Sequence, residues 1–203
     1  MFSEFLKVNT TYPTELRDFV EWHKGVKYFG FWAIEITDLA CLEKIGRYQN
    51  HLSHRLHMGY VRQPHITLAA SGLMCDEHFA SDMILKQIEL LEKKKLKPFR
   101  LKLSHGDSFS TCPYLRVNDS YSSLNTIREV LNNASQEDDN PEKYTPHITL
   151  GFYDKAYKSS DIVKDFSQIQ DDDIEFVVNE IVFAQYETKE LQGSYKVLYS
   201  VKL

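Results

Sequence analysis

A chain of 203 residues with a net charge of −5, 42% hydrophobic and 26% charged residues, has the make-up of a globular protein. It is long enough to bury a core as one domain or two small lobes. The acidic balance argues against a general nucleic-acid coat, because non-specific affinity comes from neutralising phosphates with Lys and Arg. No apolar run is long enough for a bilayer span, and the N-terminus lacks the basic and apolar regions of a signal peptide. Cys41, Cys75 and Cys112 have no metal-site spacing and suit a reducing compartment, so the expected location is cytoplasmic.

In chain order, Thr14 is placed to cap a helix from Glu15 to Trp22, making residues 1–27 a helical extension. The branched and aromatic run Tyr28 to Ile36 reads as a strand, with Trp32 a core residue, and Asp38 then caps a helix reaching His54. A strand from Val61 to Ala70 follows. Asp76 opens a helix ending at Lys93-Lys94-Lys95, with Phe79, Met83, Leu85, Ile88, Leu90 and Leu91 at roughly helical spacing. The lysine triplet reads as a solvated helix end. Strands are expected at Phe99 to Leu103 and Tyr114 to Val117, joined by a Ser-, Gly- and Asp-containing turn, then a helix from Ser122 to Leu131. An acidic loop, Ser135 to Glu142, leads to another strand. A short helix begins at Ser159, Asp171-Asp172-Asp173 forms a solvated turn, and two strands close the chain, Phe176 to Tyr186 and Gly193 to Tyr199. The class is α+β, with mainly antiparallel sheets in two pseudo-symmetric lobes about a central cleft.

The segment Pro64-His65-Ile66-Thr67-Leu68 recurs unchanged as Pro146-His147-Ile148-Thr149-Leu150. On a strand, alternate side chains share a face, so His65, Thr67 and Ala69 stand together, as do His147, Thr149 and Gly151. Ile66, Leu68, Ile148 and Leu150 enter the core. Histidine near neutrality serves as base or acid, and a threonine hydroxyl donates to a phosphoryl oxygen. Two such pairs facing each other supply what in-line displacement at phosphorus needs: a base, an acid and equatorial donors. One His-x-Thr alone is ordinary; a repeat kept only for packing has no reason to keep both histidines and both threonines.

These residues resemble the two-histidine (2H) phosphoesterase superfamily, defined by paired His-x-Thr/Ser motifs. The likeness runs from about residue 28 to the C-terminus. It implies a single bilobal domain over residues 1–203, with His65, Thr67, His147 and Thr149 catalytic and no metal or other cofactor. The implied activity is hydrolysis of a 2′,3′-cyclic phosphate or a 2′-5′ phosphodiester in a nucleotide or short RNA. A non-catalytic nucleotide or RNA-end binding module, or an RNA ligase, are the alternatives. Bacterial 2′-5′ RNA ligase-like members often carry an arginine soon after the second motif. Gly151-Phe152-Tyr153 stands there instead, so ligation is the less favoured activity.

Further substrate contacts are expected from Arg62 and Lys143, each just ahead of a histidine, and from Tyr153 and Tyr144 as stacking faces for a base. Phe152 shares the parity of Ile148 and Leu150 and belongs to the core. His51, His54 and His57 cluster without a partnering carboxylate or cysteine pattern, so no metal is assigned. The partners expected are a nucleotide or oligonucleotide substrate and no membrane, with a monomer favoured.

Overall fold

The computed structural model describes residues 2–76, 81–135 and 144–203. Eight strands are described: β1 (Tyr28–Glu35), β2 (His65–Leu73), β3 (Phe99–Ser108), β4 (Pro113–Asn118), β5 (His147–Thr149), β6 (Ile174–Val178), β7 (Glu180–Glu187) and β8 (Tyr195–Lys202). The helices are α1 (Val20–His23), α2 (Leu39–Leu52), α3 (Ser81–Lys94), α4 (Ser123–Ser135) and α5 (Ser159–Phe166). Two four-stranded sheets form, ordered β2-β1-β7-β8 and β5-β4-β3-β6. Every pairing is antiparallel. The motif strands β2 and β5 each lie at a sheet edge, and they approach one another. No helix among the described residues is long and apolar enough to cross a membrane.

Each lobe lends a helix to the other. Helix α2 lies between β1 and β2 in the chain, yet it packs on the second sheet. Its Tyr48 ring sits 5.9 Å from Phe166 of α5, and Gln49 donates to the Leu150 carbonyl at 3.1 Å. Helix α4, between β4 and β5, packs instead on β2, where Arg128 donates to the Leu68 carbonyl. Trp32, wholly buried on β1, donates to Gln87 of α3 at 2.8 Å, and Gln87 donates to the Leu131 carbonyl of α4 at 3.2 Å. One continuous apolar core spans both lobes through this exchange, including Trp32, Ile66, Leu68, Leu103, Leu115, Ile148 and Phe183.

The expected N-terminal helix is confined to Val20–His23. Residues ahead of it run along the second lobe, Thr11 donating to the Tyr157 carbonyl and Thr14 to that of Tyr153. These backbone groups are satisfied between segments, and the Thr14 hydroxyl meets the Thr111 carbonyl at 3.5 Å rather than capping a helix. Asp38 does cap α2, accepting from the Cys41 amide at 3.0 Å. The stretch Ser104 to Ser108 is strand, not turn: β3 continues through it with a register shift. Gly106 makes this packing possible, since a Cβ there would stand 2.2 Å from Phe166 and 2.8 Å from Tyr48.

The closing run Phe176 to Tyr186 divides at Asn179, β6 serving one lobe and β7 the other. The Asp171–Asp173 turn is pinned, not merely solvated. Lys44, with no exposed surface, pairs with the Asp171 carboxylate and donates to the Asp172 carbonyl at 2.8 Å, while Asp173 accepts from Ser104 at 2.8 Å. Asp76, the expected start of α3, is a turn residue, while Phe79 and the acidic loop after Ser135 lie outside the described residues.

Candidate active site

Both histidines are held in the same way. His65 Nδ1 lies 2.8 Å from the Gln63 carbonyl, and His147 Nδ1 lies 2.7 Å from that of Thr145. A carbonyl only accepts, so each Nδ1 carries the hydrogen, and in the neutral ring Nε2 is left as the base. Neither Nε2 has a partner among the described residues. Thr67 and Thr149 are half-buried two residues on, and Ile66, Leu68, Ile148 and Leu150 fill the core behind them.

Burial is the main force on both rings. It holds His65 down at about 4, with the positive charges of Arg62 and a protonated His147 acting in the same direction. Burial lowers His147 as well. The motif strands that carry the two rings approach one another, and the charge of His147 adds to the lowering of His65.

Aromatic edges fix the rings. Phe31 and Tyr195 lie 5.3 and 5.2 Å from His65, and Phe109 and Tyr114 lie 5.0 and 5.3 Å from His147. Phe109 and Tyr114 stack on one another at 4.3 Å. In the first lobe Phe31, Ala33, Val182, Ala184 and Tyr195 form an apolar floor separate from the main core. Cross-strand pairing sets Glu35 opposite His65 and Arg116 opposite His147. Tyr195 donates to Glu35 at 3.0 Å, and Arg116 donates to Asp107 at 3.0 Å.

Of the expected contacts, Arg62 acts on His65 through its charge. Its guanidinium lies 4.2 Å from the centre of the Tyr186 ring and donates to the carbonyls of Gly193 and Glu190 at 3.0 and 3.2 Å. Tyr144 joins the motif strands, its hydroxyl donating to the Thr67 carbonyl at 2.8 Å. Lys143 lies outside the described residues.

Tyr153 is a correction. It has no exposed surface, and its hydroxyl shares a 2.7 Å hydrogen bond with Ser108, so it offers no face to a base. Strand parity does not reach Tyr153, because β5 ends at Thr149 and Tyr153 bridges to Leu56 instead. Phe152, expected in the core, is half-buried and meets Tyr60 at 5.8 Å. A second inversion occurs in β2. Trp32 pairs with Ala69 but Ala33 with Thr67, so one residue bulges, Ala69 turns to the core and Ala70 is exposed.

Sequence reading missed Glu35, Phe31, Tyr195, Phe109, Tyr114 and Arg116. Alternation along Phe31, Ala33 and Glu35 would have put these three on one face. Only the strand pairing shows that this face is the one bearing His65. His51 contacts the Asp165 carbonyl and His57 that of Thr14, and no group of three or more potential ligands among the described residues is placed to hold a metal.

The model of the 2′-5′ RNA ligase superfamily matches residues 37–190. No curated protein sequence matches the chain. Among solved structures, E. coli LigT complexed with 3′-AMP is 16% identical, with a TM-score of 0.63 and coverage of 88% of this chain and 99% of that one. LigT complexed with NADP+ is 17% identical, with a TM-score of 0.57 over 87% and 98% of the two chains. Usb1 of Kluyveromyces marxianus is 13% identical, with a TM-score of 0.50 over 88% and 99%. At these identities the likeness is one of fold.

Proposed function

Because this chain belongs to the 2′-5′ RNA ligase superfamily, a family of two-histidine phosphoesterases, we propose that it hydrolyses a 2′,3′-cyclic phosphate or 2′-5′ phosphodiester in a nucleotide or short oligonucleotide. The observation that carries this reading is the matched pair of imidazoles. Both are tethered through Nδ1, both leave Nε2 open, and they lie on adjoining edge strands with a threonine beside each. One Nε2 takes the proton of the attacking oxygen while the other, protonated, delivers its proton to the departing oxygen. The Thr67 and Thr149 hydroxyls donate to the non-bridging oxygens as charge builds there, and Arg62 adds a fixed cation on the His65 side. The nucleotides in the LigT complexes are of the size this reading assigns to the substrate.

The test is incubation with EDTA against nucleoside 2′,3′-cyclic phosphates and 2′-5′ and 3′-5′ oligoadenylates. Turnover of one class is expected, and His65→Ala or His147→Ala should each lower it by about a thousand-fold. Strong activity in either single variant overturns the two-histidine mechanism.

A further inference from the structure

Where the two sheets converge, beyond Glu35 on the His65 side, lies a cavity of about 520 Å³. Glu35 and Val182 line it from the first sheet, Glu175 and Val177 from the second, with Glu180 and Lys202 also in its wall. A volume of this order accommodates a nucleoside. Glu35 joins the cavity to the histidine, because cross-strand partners rise from the same face with their Cβ atoms about 5 Å apart.

The Glu35 carboxylate is preorganised. Its Oε1 accepts from the hydroxyl of Tyr195, a residue only 5% exposed whose ring also lies edge-on to His65. Oε2 has no partner among the described residues. One oxygen is thus fixed by the protein and the other is left for what the cavity holds.

Charge narrows the occupant. Glu35, Asp38, Glu175, Glu180 and Lys202 line the cavity. Lys202 pairs with Glu180 at 3.0 Å and Arg100 lies 3.9 Å from Glu175, so the wall keeps a net negative charge, carried by Glu35 and Asp38. Phosphate is repelled from such a wall, whereas a neutral group rich in N–H donors is favoured. Val177, 46% exposed, supplies apolar surface for its face, with Ile34, Phe176, Val178 and Val182 buried behind the wall.

We propose that this cavity is a nucleoside subsite for the uncharged end of the substrate, in which Glu35 selects bases bearing an amino group. Adenine, cytosine and guanine each present N–H donors to the free oxygen. Uracil offers one N–H flanked by two carbonyl oxygens that the carboxylate repels. A phosphate on that end of the substrate is excluded for the same reason. The assignment of the occupant as part of a substrate rests on the phosphodiesterase reading; binding to the cavity does not.

The experiment titrates unphosphorylated adenosine, cytidine, guanosine and uridine into the wild type, Glu35→Gln and Val177→Trp, with binding followed by NMR. Val177 is 46% exposed, so a tryptophan there fills the cavity without entering the core. The expected result is about tenfold tighter binding of the three amino-bearing nucleosides than of uridine, a preference lost in Glu35→Gln. Val177→Trp, checked by circular dichroism, should abolish binding. Equal binding of all four, no binding at all, or binding unchanged in Val177→Trp overturns the subsite. Turnover in the diester panel without nucleoside preference sinks the subsite and leaves the phosphodiesterase. Nucleoside preference without turnover does the reverse.

Discussion

The sharpest prediction concerns the protons on the two histidines. With the cleft empty, His65 is held from its ordinary 6.5 down to about 4, chiefly by burial, and His147 is lowered by the same cause. A tenfold change in proton affinity is worth about 1.4 kcal/mol, so protonating His65 in the empty cleft costs on the order of 3 kcal/mol more than in an open peptide. A phosphoryl anion about 4 Å away at an effective dielectric of 20 returns about 4 kcal/mol. Binding an anion should therefore raise the histidines back toward neutrality and draw about one proton from the buffer near pH 6. The assay is an NMR titration of the imidazole C–H resonances with and without saturating inorganic phosphate, alongside calorimetry in two buffers of different ionisation enthalpy. The same linkage separates the rate profiles, since kcat/KM reports the free enzyme and kcat the complex. The acid limb of kcat/KM should lie below that of kcat. A His65 that titrates near 6.5 in the free protein, or does not move on saturation, refutes the argument.

Stability should follow from the same depressed pKa. Such a histidine binds fewer protons folded than unfolded, so its contribution is full above about 6.5 and is lost as pH falls toward about 4. His65→Gln should flatten that part of a pH series of denaturant midpoints; an unchanged slope counts against the burial of His65. Arg62→Ala removes a cation that depresses His65 and an anion contact, so the free His65 pKa should rise while KM increases. A KM increase with no change in the His65 titration would place Arg62 away from the ring. Thr67→Val and Thr149→Val should each lower kcat by about a hundred-fold with melting little altered, and full activity in both refutes their role on the phosphoryl oxygens. Gly106→Ala forces Phe166 or Tyr48 aside and should cost about 1–3 kcal/mol by urea unfolding, with an unaltered midpoint as the refuting result.

What the sequence made legible is local. The motif strands could be read because their apolar alternation and polar pairs are short-range patterns, and α2 because Asp38 and a helical period announce it. Pairing between strands is not local, and most of the missed site residues follow from it. Arg116 becomes a neighbour of His147 only through the β4–β5 register. Ser104 to Ser108 has turn composition but is buried strand, since Asp107 is occupied by Arg116 and Ser108 by Tyr153. Tyr153 and Phe152 exchange roles because strand parity has no authority beyond the end of the strand. The exchange of α2 and α4 between lobes leaves no sequence signal at all: each helix carries an apolar face, and nothing in that face says which sheet it covers.

The repeat and its surroundings divide the work of the site. Everything the proposed mechanism uses to handle protons is duplicated: the histidine, the carbonyl two residues back that fixes its tautomer, the threonine, and two aromatic edges. What stands opposite each histidine is not duplicated, Glu35 on one side and Arg116 on the other. A symmetric pair of imidazoles would accept a phosphodiester in either direction, and each histidine would serve equally as acid or base. Under the proposed subsite, Glu35 beside His65 removes that degeneracy, because the two ends of a nucleotide differ in charge, whereas Arg116 beside His147 is already paired with Asp107 at 3.0 Å. The uncharged nucleoside then belongs beside Glu35, where the proposed subsite lies. On this reading the direction of the substrate, and hence which histidine would meet the leaving oxygen, depends on residues outside the motif. On the same reading the duplicated residues would supply the reaction, and the residues that differ between the lobes its polarity.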